Sequence, residues 1–333
     1  MQIMPQTLSV INLPDTIDRD LAHDRDLAHD ILTEIFRKRR LMPGELEKEE
    51  LQQLEVAPHV HKIMAAIKDD QPINLILPAF PAKSPSRQKT LSHLPDHGEE
   101  LAFMNLNRLC EQIAQIYAPG AKITVCSDGR VFADIVRIPD RDVTDYNNEM
   151  RKHVKDWNLA HIKFFDLDDV YPNVKDFTML REELMVAHGE ALASLQQRCK
   201  MERDAGEMYR GITRFLFEDF SGLDEFKGLT RNTIQSMARL AAYRVIQRSN
   251  AWGRLLAERL PSSVRLSIHP QFRVSDKIGI NLIGSTDCWA TPWHSVVLKN
   301  GEKISLVPRC EAEKMNATLI FKNGRPSYFQ LQE

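Results

Sequence analysis

Short apolar segments alternate with helical patterns from residue 71 onward, and this alternation limits the fold of the chain more than any other feature. The apolar segments are INLILPAF (73–80), KITVCSD (122–128) and HIKFFDL (161–167), and a helical pattern follows each of them. Strands that are separated by helices favour parallel pairing. We therefore predict an α/β, Rossmann-like fold, with a mixed, mainly parallel sheet flanked by helices.

The regions on either side of this alternation differ in character. Residues 1–70 are charged and helix-prone, and we interpret them as a helical N-terminal appendage to an α/β catalytic domain at 71–333. The appendage repeats DRDLAH at 18–23 and 24–29, which favours a lengthened solvated helix over a metal site, because its histidines lie six residues apart. Within the catalytic domain we predict a helix-rich insertion at about 174–259 and antiparallel strands at about 262–333. NG dipeptides at 300–301 and 323–324 predict hairpins there.

Composition narrows the class of protein further. The chain has 44 Lys plus Arg against 46 Asp plus Glu, a net charge of −2, so we expect no nucleic-acid partner. Its five cysteines form no CxxC pair, which favours a reducing cytoplasm over a disulfide framework. No apolar run approaches the roughly 18 residues of a membrane span, and the N-terminus lacks a signal-peptide pattern. We expect a soluble cytoplasmic protein without a membrane partner.

The loop after the first predicted strand is basic and rich in hydroxyl groups. PAFPAKSPSRQK (78–89) carries Lys83, Arg87 and Lys89 with Ser84 and Ser86, and its prolines stiffen it. Lysine and arginine in such a loop suit a phosphate or a carboxylate. The GxxxxGK[ST] and GxGxxG spacings are absent, so the pattern predicts neither a P-loop nor a dinucleotide site. The alternative is a solvated basic loop.

Two further segments place carboxylates where strands or helices begin and end. In LPDHGEE (94–100), Asp96 and Glu99 have the spacing of a capping box, or else one of them holds an amine or moves a proton. In CSDGR (126–130), Asp128 and Gly129 are typical of a hairpin turn. The alternative there is a site that combines the polar residues of this strand end, which are Ser127, Asp128, Arg130 and Asp134.

The C-terminal strands carry the remaining candidates. In RLSIHP (265–270), alternation sends Arg265, Ser267 and His269 to one face of a strand. In TPWHSVV (291–297), Trp293 and His294 stand together. A two-histidine iron site is an alternative reading, but no HxD or HExxH pattern accompanies it, so we expect no metal.

These blocks together resemble the PvcA-like isonitrile (isocyanide) synthase family, which is related to the yeast spore-wall dityrosine proteins. The residues that carry the resemblance are PAFPAKSPSRQK (78–89), LPDHGEE (94–100), IYAPGAKITVCSDGRVFAD (116–134), RLSIHP (265–270) and TPWHSVV (291–297). The resemblance implies a cofactor-free, lyase-type reaction in which an aromatic amino acid condenses with ribulose 5-phosphate. It implies that the C2 carbon of the sugar becomes the isonitrile carbon, and that a downstream oxygenase is functionally coupled.

Within this resemblance each candidate residue has an expected role. The catalytic candidates are Lys83, Asp96, Glu99, Asp128, His269 and His294. The substrate-binding candidates are Ser84, Arg87, Lys89, Ser127, Arg130, Asp134, Arg265, Ser267 and Trp293. Among these, the basic loop is expected to clamp the phosphate and Arg265 the amino-acid carboxylate. Lys83 is also a candidate base.

The substrate and the class of activity leave alternatives. We favour L-tyrosine over L-tryptophan on family frequency alone, because the pocket residues that meet a phenol or an indole are not evident from the sequence. A histidine-dependent metal oxygenase and a non-catalytic phosphometabolite-binding protein are the competing functions. Catalytic candidates at three separate strand ends favour an enzyme over simple binding.

Overall fold

The structure is a computed structural model, and it describes residues 15–45, 53–283 and 290–332 of the 333-residue chain. The helices are α1 (Asp15–Phe36), α2 (Gln53–Lys68), α3 (His97–Ile116), α4 (Gly129–Phe132), α5 (Asp140–Asp156), α6 (Leu167–Val170), α7 (Phe177–His188), α8 (Leu192–Met201), α9 (Arg203–Ser221), α10 (Arg231–Arg259) and α11 (Arg309–Lys314). The strands are β1 (Ile73–Pro78), β2 (Ala121–Cys126), β3 (Ile162–Phe165), β4 (Val264–Ser267), β5 (Ile278–Gly279), β6 (Val296–Asn300), β7 (Lys303–Val307), β8 (Thr318–Lys322) and β9 (Arg325–Gln330).

The main sheet has five strands in the order β3-β2-β1-β4-β5, and every pairing in it is parallel. This confirms the predicted α/β fold with a mainly parallel sheet. After β3 the chain passes through α6 to α10 and returns on the opposite side of β1 as β4. The strand order therefore reverses between β1 and β4. Open α/β sheets bind ligands at such a switch point, beyond the carboxyl ends of the strands.

The second sheet contains four strands in the order β7-β6-β9-β8. Both predicted hairpins are confirmed, since β6 pairs antiparallel with β7 and β8 with β9. Asn323 and Gly324 have φ values of 52° and 74°, the left-handed conformation that such a two-residue turn requires. The antiparallel hairpins do not extend the parallel sheet, because β4 and β5 pair parallel in the first sheet and β6 to β9 form a separate one, in which β6 and β9 pair parallel. The direction of β4 is set by the long crossover connection that precedes it. The apolar pattern of the strand itself does not indicate this direction.

The N-terminal helices share the core of the main sheet. Ile31, Leu32 and Ile35 of α1 are fully buried, as is Ile63 of α2, and they belong to one apolar cluster with the strands β1 and β2 and helix α3. Both DRDLAH copies lie in the single helix α1. The described part of residues 1–70 therefore packs as an integral layer against the sheet.

Helix α10 covers the opposite face of the sheet. Its buried residues Trp252, Leu255 and Leu256 pack against Ile76 of β1 and Cys126 of β2. The register pairs Ile76 with Arg265 of β4, so Arg265 lies on the same face. This face carries the polar residues of β4 into the region between sheet and helix.

Four of the five cysteines lie within the described residues. Cys110, Cys126, Cys199 and Cys310 are free thiols, and Cys288 lies outside the described residues. Across the ranges that the structure covers, no helix combines the length and the apolar character needed to cross a bilayer.

Candidate functional site at the switch point

The loops that follow β1 and β2 are held together by backbone contacts at the carboxyl edge of the sheet. Ser127 Oγ donates to the carbonyl of Phe80 at 3.0 Å, and the amide of Ser84 donates to the carbonyl of Trp293 at 2.8 Å. Trp293 is buried, and its ring lies 5.0 Å from that of Phe80. Three distant stretches of the sequence therefore meet at this edge.

Gly129 allows the β1 and β2 loops to approach each other. A Cβ at this position would lie 1.7 Å from the carbonyl oxygen of Pro81. Since the clash is with backbone, Gly129→Ala should destabilise the fold by about 3 kcal/mol in urea unfolding. As a control, Gly228→Ala adds a Cβ with nothing within 4 Å and strains only a φ of 86°, so it should cost about 1 kcal/mol. Equal losses in the two variants would contradict the close approach.

Lys83 lies at the centre of a buried charged cluster. Its ammonium contacts Asp96 Oδ2 at 2.7 Å, Glu99 Oε2 at 2.8 Å and the carbonyl oxygen of Pro292 at 2.9 Å. The side chain is fully buried, and these three acceptors match its three N–H donors. Asp96 and Glu99 also form the predicted capping box of α3. The same two carboxylates thus cap a helix and neutralise a buried lysine.

The electrostatics of this cluster favour proton sharing. Burial raises the pKa of Asp96 to about 7, against the lowering effect of Lys83 and with a further increase from Glu99. Burial acts to lower the pKa of Lys83, but the charges of Asp96 and Glu99 outweigh it and raise that pKa. Tyr146 of α5 donates its hydroxyl to Glu99 Oε1 at 3.0 Å. With one cation among two carboxylates and a phenol, this group can hold an exchangeable proton near neutral pH.

Asp128 stands at the start of α4, directly after β2. A short helix follows it, so the predicted hairpin alternative is not formed. Its side chain does not cap that helix, and its buried Oδ1 atom has no hydrogen-bond partner among the described residues. Burial raises the pKa of this carboxyl group to about 7. A buried carboxyl with an open acceptor at the edge of a sheet is suited to general acid–base chemistry.

A second cluster surrounds Lys89 and reaches α9. The ammonium contacts Asp219 Oδ1 at 2.7 Å, and Ser84 Oγ donates to Asp219 Oδ2 at 3.1 Å. Lys89 also lies 4.8 Å from the centre of the Phe215 ring, which in turn lies 4.3 Å from the ring of His294. Because Ser84 follows Lys83 directly, this cluster adjoins the Lys83 cluster.

The two candidate histidines are neutral at physiological pH. Burial and the charges of Lys89 and Lys83 lower the pKa of His294 well below its ordinary value. Burial, Arg40 and Lys277 lower the pKa of His269 to about 4. His269 nevertheless keeps contact with solvent, although protein atoms surround its ring. Both imidazoles are thus neutral and can donate or accept a hydrogen bond.

Three predicted binding residues contact other groups instead. Arg130 pairs with Asp140 at 2.9 Å and lies 3.7 Å from the ring of Phe177. Asp134 pairs with Arg248 at 2.5 Å. Arg87 is exposed and lines a separate cavity of about 660 Å³. The basic loop therefore sends Lys83, Arg87 and Lys89 into three different surroundings, which does not match the expected joint clamp for one phosphate.

The β4 candidates lie closer to the switch point. Ser267 Oγ accepts a hydrogen bond from the amide of His269 at 3.1 Å, which fixes the turn after the strand. Arg265 Nη1 donates to the carbonyl of Gly253 at 3.2 Å. Both residues belong to β4, which pairs with β1 where the strand order reverses.

A group of three metal-ligand side chains exists elsewhere in the described ranges. His93, Asp142 and Asp145 place one potential ligand atom each within 4.8 Å of one another. His269 and His294, the pair weighed for an iron site, are not part of it.

Several residues of the site were missed by sequence reasoning. Tyr146, Asp219 and Lys277 lie in segments with ordinary helical or strand patterns and reach the site only through the tertiary fold. The sequence does contain a signal for Lys277, because this residue directly precedes the apolar run IGINLI. If that run is paired parallel with RLSI, Lys277 lies beside Arg265.

Fold and site together define an α/β protein with buried, proton-exchanging side chains at the topological switch point. The family described as "Pyoverdine/dityrosine biosynthesis protein" matches residues 63–320 of the chain. The chain belongs to this family. The match confirms the resemblance drawn from the five sequence blocks.

Relatives of known name support the same assignment. The chain is 43% identical over 304 residues to an L-tryptophan isonitrile synthase of Fischerella ambigua, covering 91% of each protein. It is 40% identical over 309 residues to an L-tyrosine isonitrile synthase of Pseudomonas aeruginosa, covering 90% of this chain and 93% of the relative. The crystal structure of the PvcA protein from Pseudomonas aeruginosa is similar with a TM-score of 0.87 and 39% identity, covering 92% of this chain and 100% of that one.

Proposed function

We propose that this protein is an isonitrile synthase that converts the α-amine of an aromatic amino acid to an isocyanide, with ribulose 5-phosphate as the one-carbon donor. The reaction is of the carbon–carbon lyase type and proceeds without a redox cofactor. The observation that carries the proposal is the buried set of proton-exchanging groups, Asp128 and the Lys83 cluster, at the switch point of a chain in this family. The names of its relatives support the same activity.

The proposed reaction requires the protein to transfer protons at several steps. The amine must lose a proton before it attacks the ketone, and water must leave as the imine forms. Cleavage of sugar carbon–carbon bonds then needs a base to accept hydroxyl protons. Groups with a pKa near 7 give and accept protons with similar ease. Asp96 and Asp128 both meet this condition.

We assign Asp128 as the group that exchanges protons with the substrate, because its Oδ1 atom has no described partner. The Lys83 ammonium already contacts three acceptors, so it acts by fixing Asp96 and Glu99 rather than by binding phosphate. Tyr146 extends the same chain of hydrogen bonds from Glu99. His294, neutral and beside the Lys89 cluster, is available as a hydrogen-bond partner of the substrate.

The relatives include enzymes named for L-tryptophan and for L-tyrosine, and both amino acids enter the proposal. L-tyrosine remains our proposal from the sequence, with L-tryptophan as the alternative. Relatives with the two specificities are 40% and 43% identical to the chain, a difference too small to choose between them. The product isocyanide is a suitable substrate for the downstream oxygenase that we propose as a functional partner.

The proposal is tested by incubating the purified protein with ribulose 5-phosphate and either L-tyrosine or L-tryptophan. We expect a product with the isonitrile infrared stretch and the corresponding mass, formed from one amino acid in preference to the other. Omission of the sugar phosphate should abolish it. A strong chelator should leave the rate unchanged, and a loss of activity would favour a metal oxygenase. Heat stabilisation by ribulose 5-phosphate without any product would indicate a binding protein instead.

A further inference from the structure

Arg265 and Lys277 form a pair of cations beside the switch point. The register pairs Leu266 of β4 with Ile278 of β5, so the preceding residues, Arg265 and Lys277, are neighbours on one face of the sheet. It is the face that helix α10 covers. The two positive side chains therefore stand side by side in the layer between sheet and helix.

The helix leaves room for this pair at one position. Gly253 lies inside α10, where glycine costs about 1 kcal/mol relative to alanine. A Cβ there would lie 2.8 Å from Nη2 of Arg265. The glycine thus admits the guanidinium, whose Nη1 atom donates to the carbonyl of the same residue at 3.2 Å. The missing side chain and the carbonyl of Gly253 thus fix the position of the Arg265 guanidinium.

The pair lacks a counter-ion within the part of the chain that the structure covers. Arg265 and Lys277 are half-buried, and neither forms an ion pair with a described carboxylate. Asp276 is exposed, and its charge only partly offsets the effect of burial on both groups. Other basic residues of the site differ in this respect, since Lys83, Lys89 and Arg130 each contact a carboxylate. Two half-buried cations without a carboxylate partner are best satisfied by a doubly charged anion.

We propose that Arg265 and Lys277 bind the phosphate dianion of the sugar phosphate. This assignment rests on the proposed function and deepens it. It moves the phosphate away from the basic loop after β1 and replaces the carboxylate-binding role expected of Arg265. The guanidinium supplies a planar fork and the ammonium a point charge, which together match a dianion. Ser267 and His269 continue from this pair towards the carboxyl edge of the sheet. A sugar held there by its phosphate extends towards Asp128 and the Lys83 cluster.

The first test measures binding of inorganic phosphate by titration calorimetry to the full chain and to Arg265→Gln and Lys277→Gln. We expect about a 10- to 100-fold loss of affinity in each variant, the range for one charged hydrogen bond. Lys163→Gln is the matched control, because Lys163 is exposed on the same row of the sheet but on β3, beyond β2 and β1. It should bind as the parent does. Unchanged affinity in both Arg265→Gln and Lys277→Gln would overturn the assignment.

The second test separates this site from the proposed reaction. In Lys277→Gln the KM for ribulose 5-phosphate should rise about 10- to 100-fold while the KM for the amino acid stays unchanged. A rise confined to the amino acid would overturn the assignment, since the pair would then bind a carboxylate. If the protein makes no isonitrile but still binds phosphate through this pair, the proposed function fails and the site stands.

Gly253→Ala supplies an independent variant that leaves both charges in place. It should weaken phosphate binding by displacing the guanidinium, even though alanine favours the helix. Lys277→Arg should retain most of the affinity, which separates loss of charge from loss of fold. If Gly253→Ala binds phosphate as tightly as the parent does, Gly253 does not position the Arg265 guanidinium for phosphate.

Discussion

Replacement of Lys83 by methionine should destabilise the protein by about 3 to 5 kcal/mol, measured by urea unfolding at pH 8. The change leaves Asp96 and Glu99 buried without the ammonium that contacts both at 2.7 and 2.8 Å. Removing one partner of a buried ion pair is costly because the remaining charge has lost its water and its counter-ion. The expected loss is a large fraction of the stability of an ordinary domain.

Matched variants identify the source of this effect. Lys152→Met removes an exposed lysine from a 3.0 Å pair with Asp156 and should leave the stability nearly unchanged, because solvent screens that pair. Lys83→Met combined with Glu99→Gln should recover part of the loss, since it removes one of the two buried negative charges. The deficit of Lys83→Met should also be smaller at pH 5, below the raised pKa of Asp96, where that carboxyl group takes up a proton. A deficit that is equal at both pH values would contradict the buried-charge explanation.

Replacement of Asp128 by asparagine should lower turnover by about 10²- to 10⁴-fold, the range for loss of a general acid–base group. The geometry of the loop should persist, because asparagine has the same shape as aspartate. The measurement is the initial rate of isonitrile formation under saturating substrates. Asp204→Asn, which changes an exposed carboxylate on α9, should leave the rate within about twofold. A fully active Asp128→Asn would remove Asp128 from the mechanism.

The same variant should show a pH-dependent gain in stability. Burial raises the pKa of Asp128 from 3.8 to about 7, so the folded state binds more protons than the unfolded state between these values. The stability of the parent protein therefore falls through this group as the pH rises from about 4 to 7. Asparagine removes that loss. The stability of Asp128→Asn relative to the parent should increase by about 2 kcal/mol between pH 5 and pH 8 in urea unfolding. A difference that does not change with pH would contradict the raised pKa.

Helices, strands and turns were predictable from the sequence wherever a local pattern is enough to specify the element. INLILP and KITVC became neighbouring parallel strands, and both NG dipeptides formed hairpins. The Asp96 to Glu99 spacing gave the capping box. The partition of the C-terminal strands into two sheets was not predictable in this way, because it depends on the crossover that precedes β4.

The site was predictable as a set of loops but not as a set of contacts. The strand ends at Lys83, Asp128 and His269 were identified because carboxyl ends of parallel strands meet at one edge. The partners of these residues come from helices whose sequence shows only ordinary amphipathic patterns, as Tyr146 and Asp219 do. Whether a lysine meets a phosphate or a carboxylate of its own chain depends on that tertiary packing. Lys83 is the clearest example, since its charge is satisfied internally.

The origin of the isonitrile carbon tests the central claim most directly. Ribulose 5-phosphate labelled with ¹³C at C2 is incubated with the purified protein and the amino acid that it accepts, and the product is read by ¹³C NMR. We predict that the label appears at full enrichment in the isonitrile carbon. An isonitrile product that carries no label at this carbon would show that the carbon comes from another donor, and the proposed reaction would be wrong.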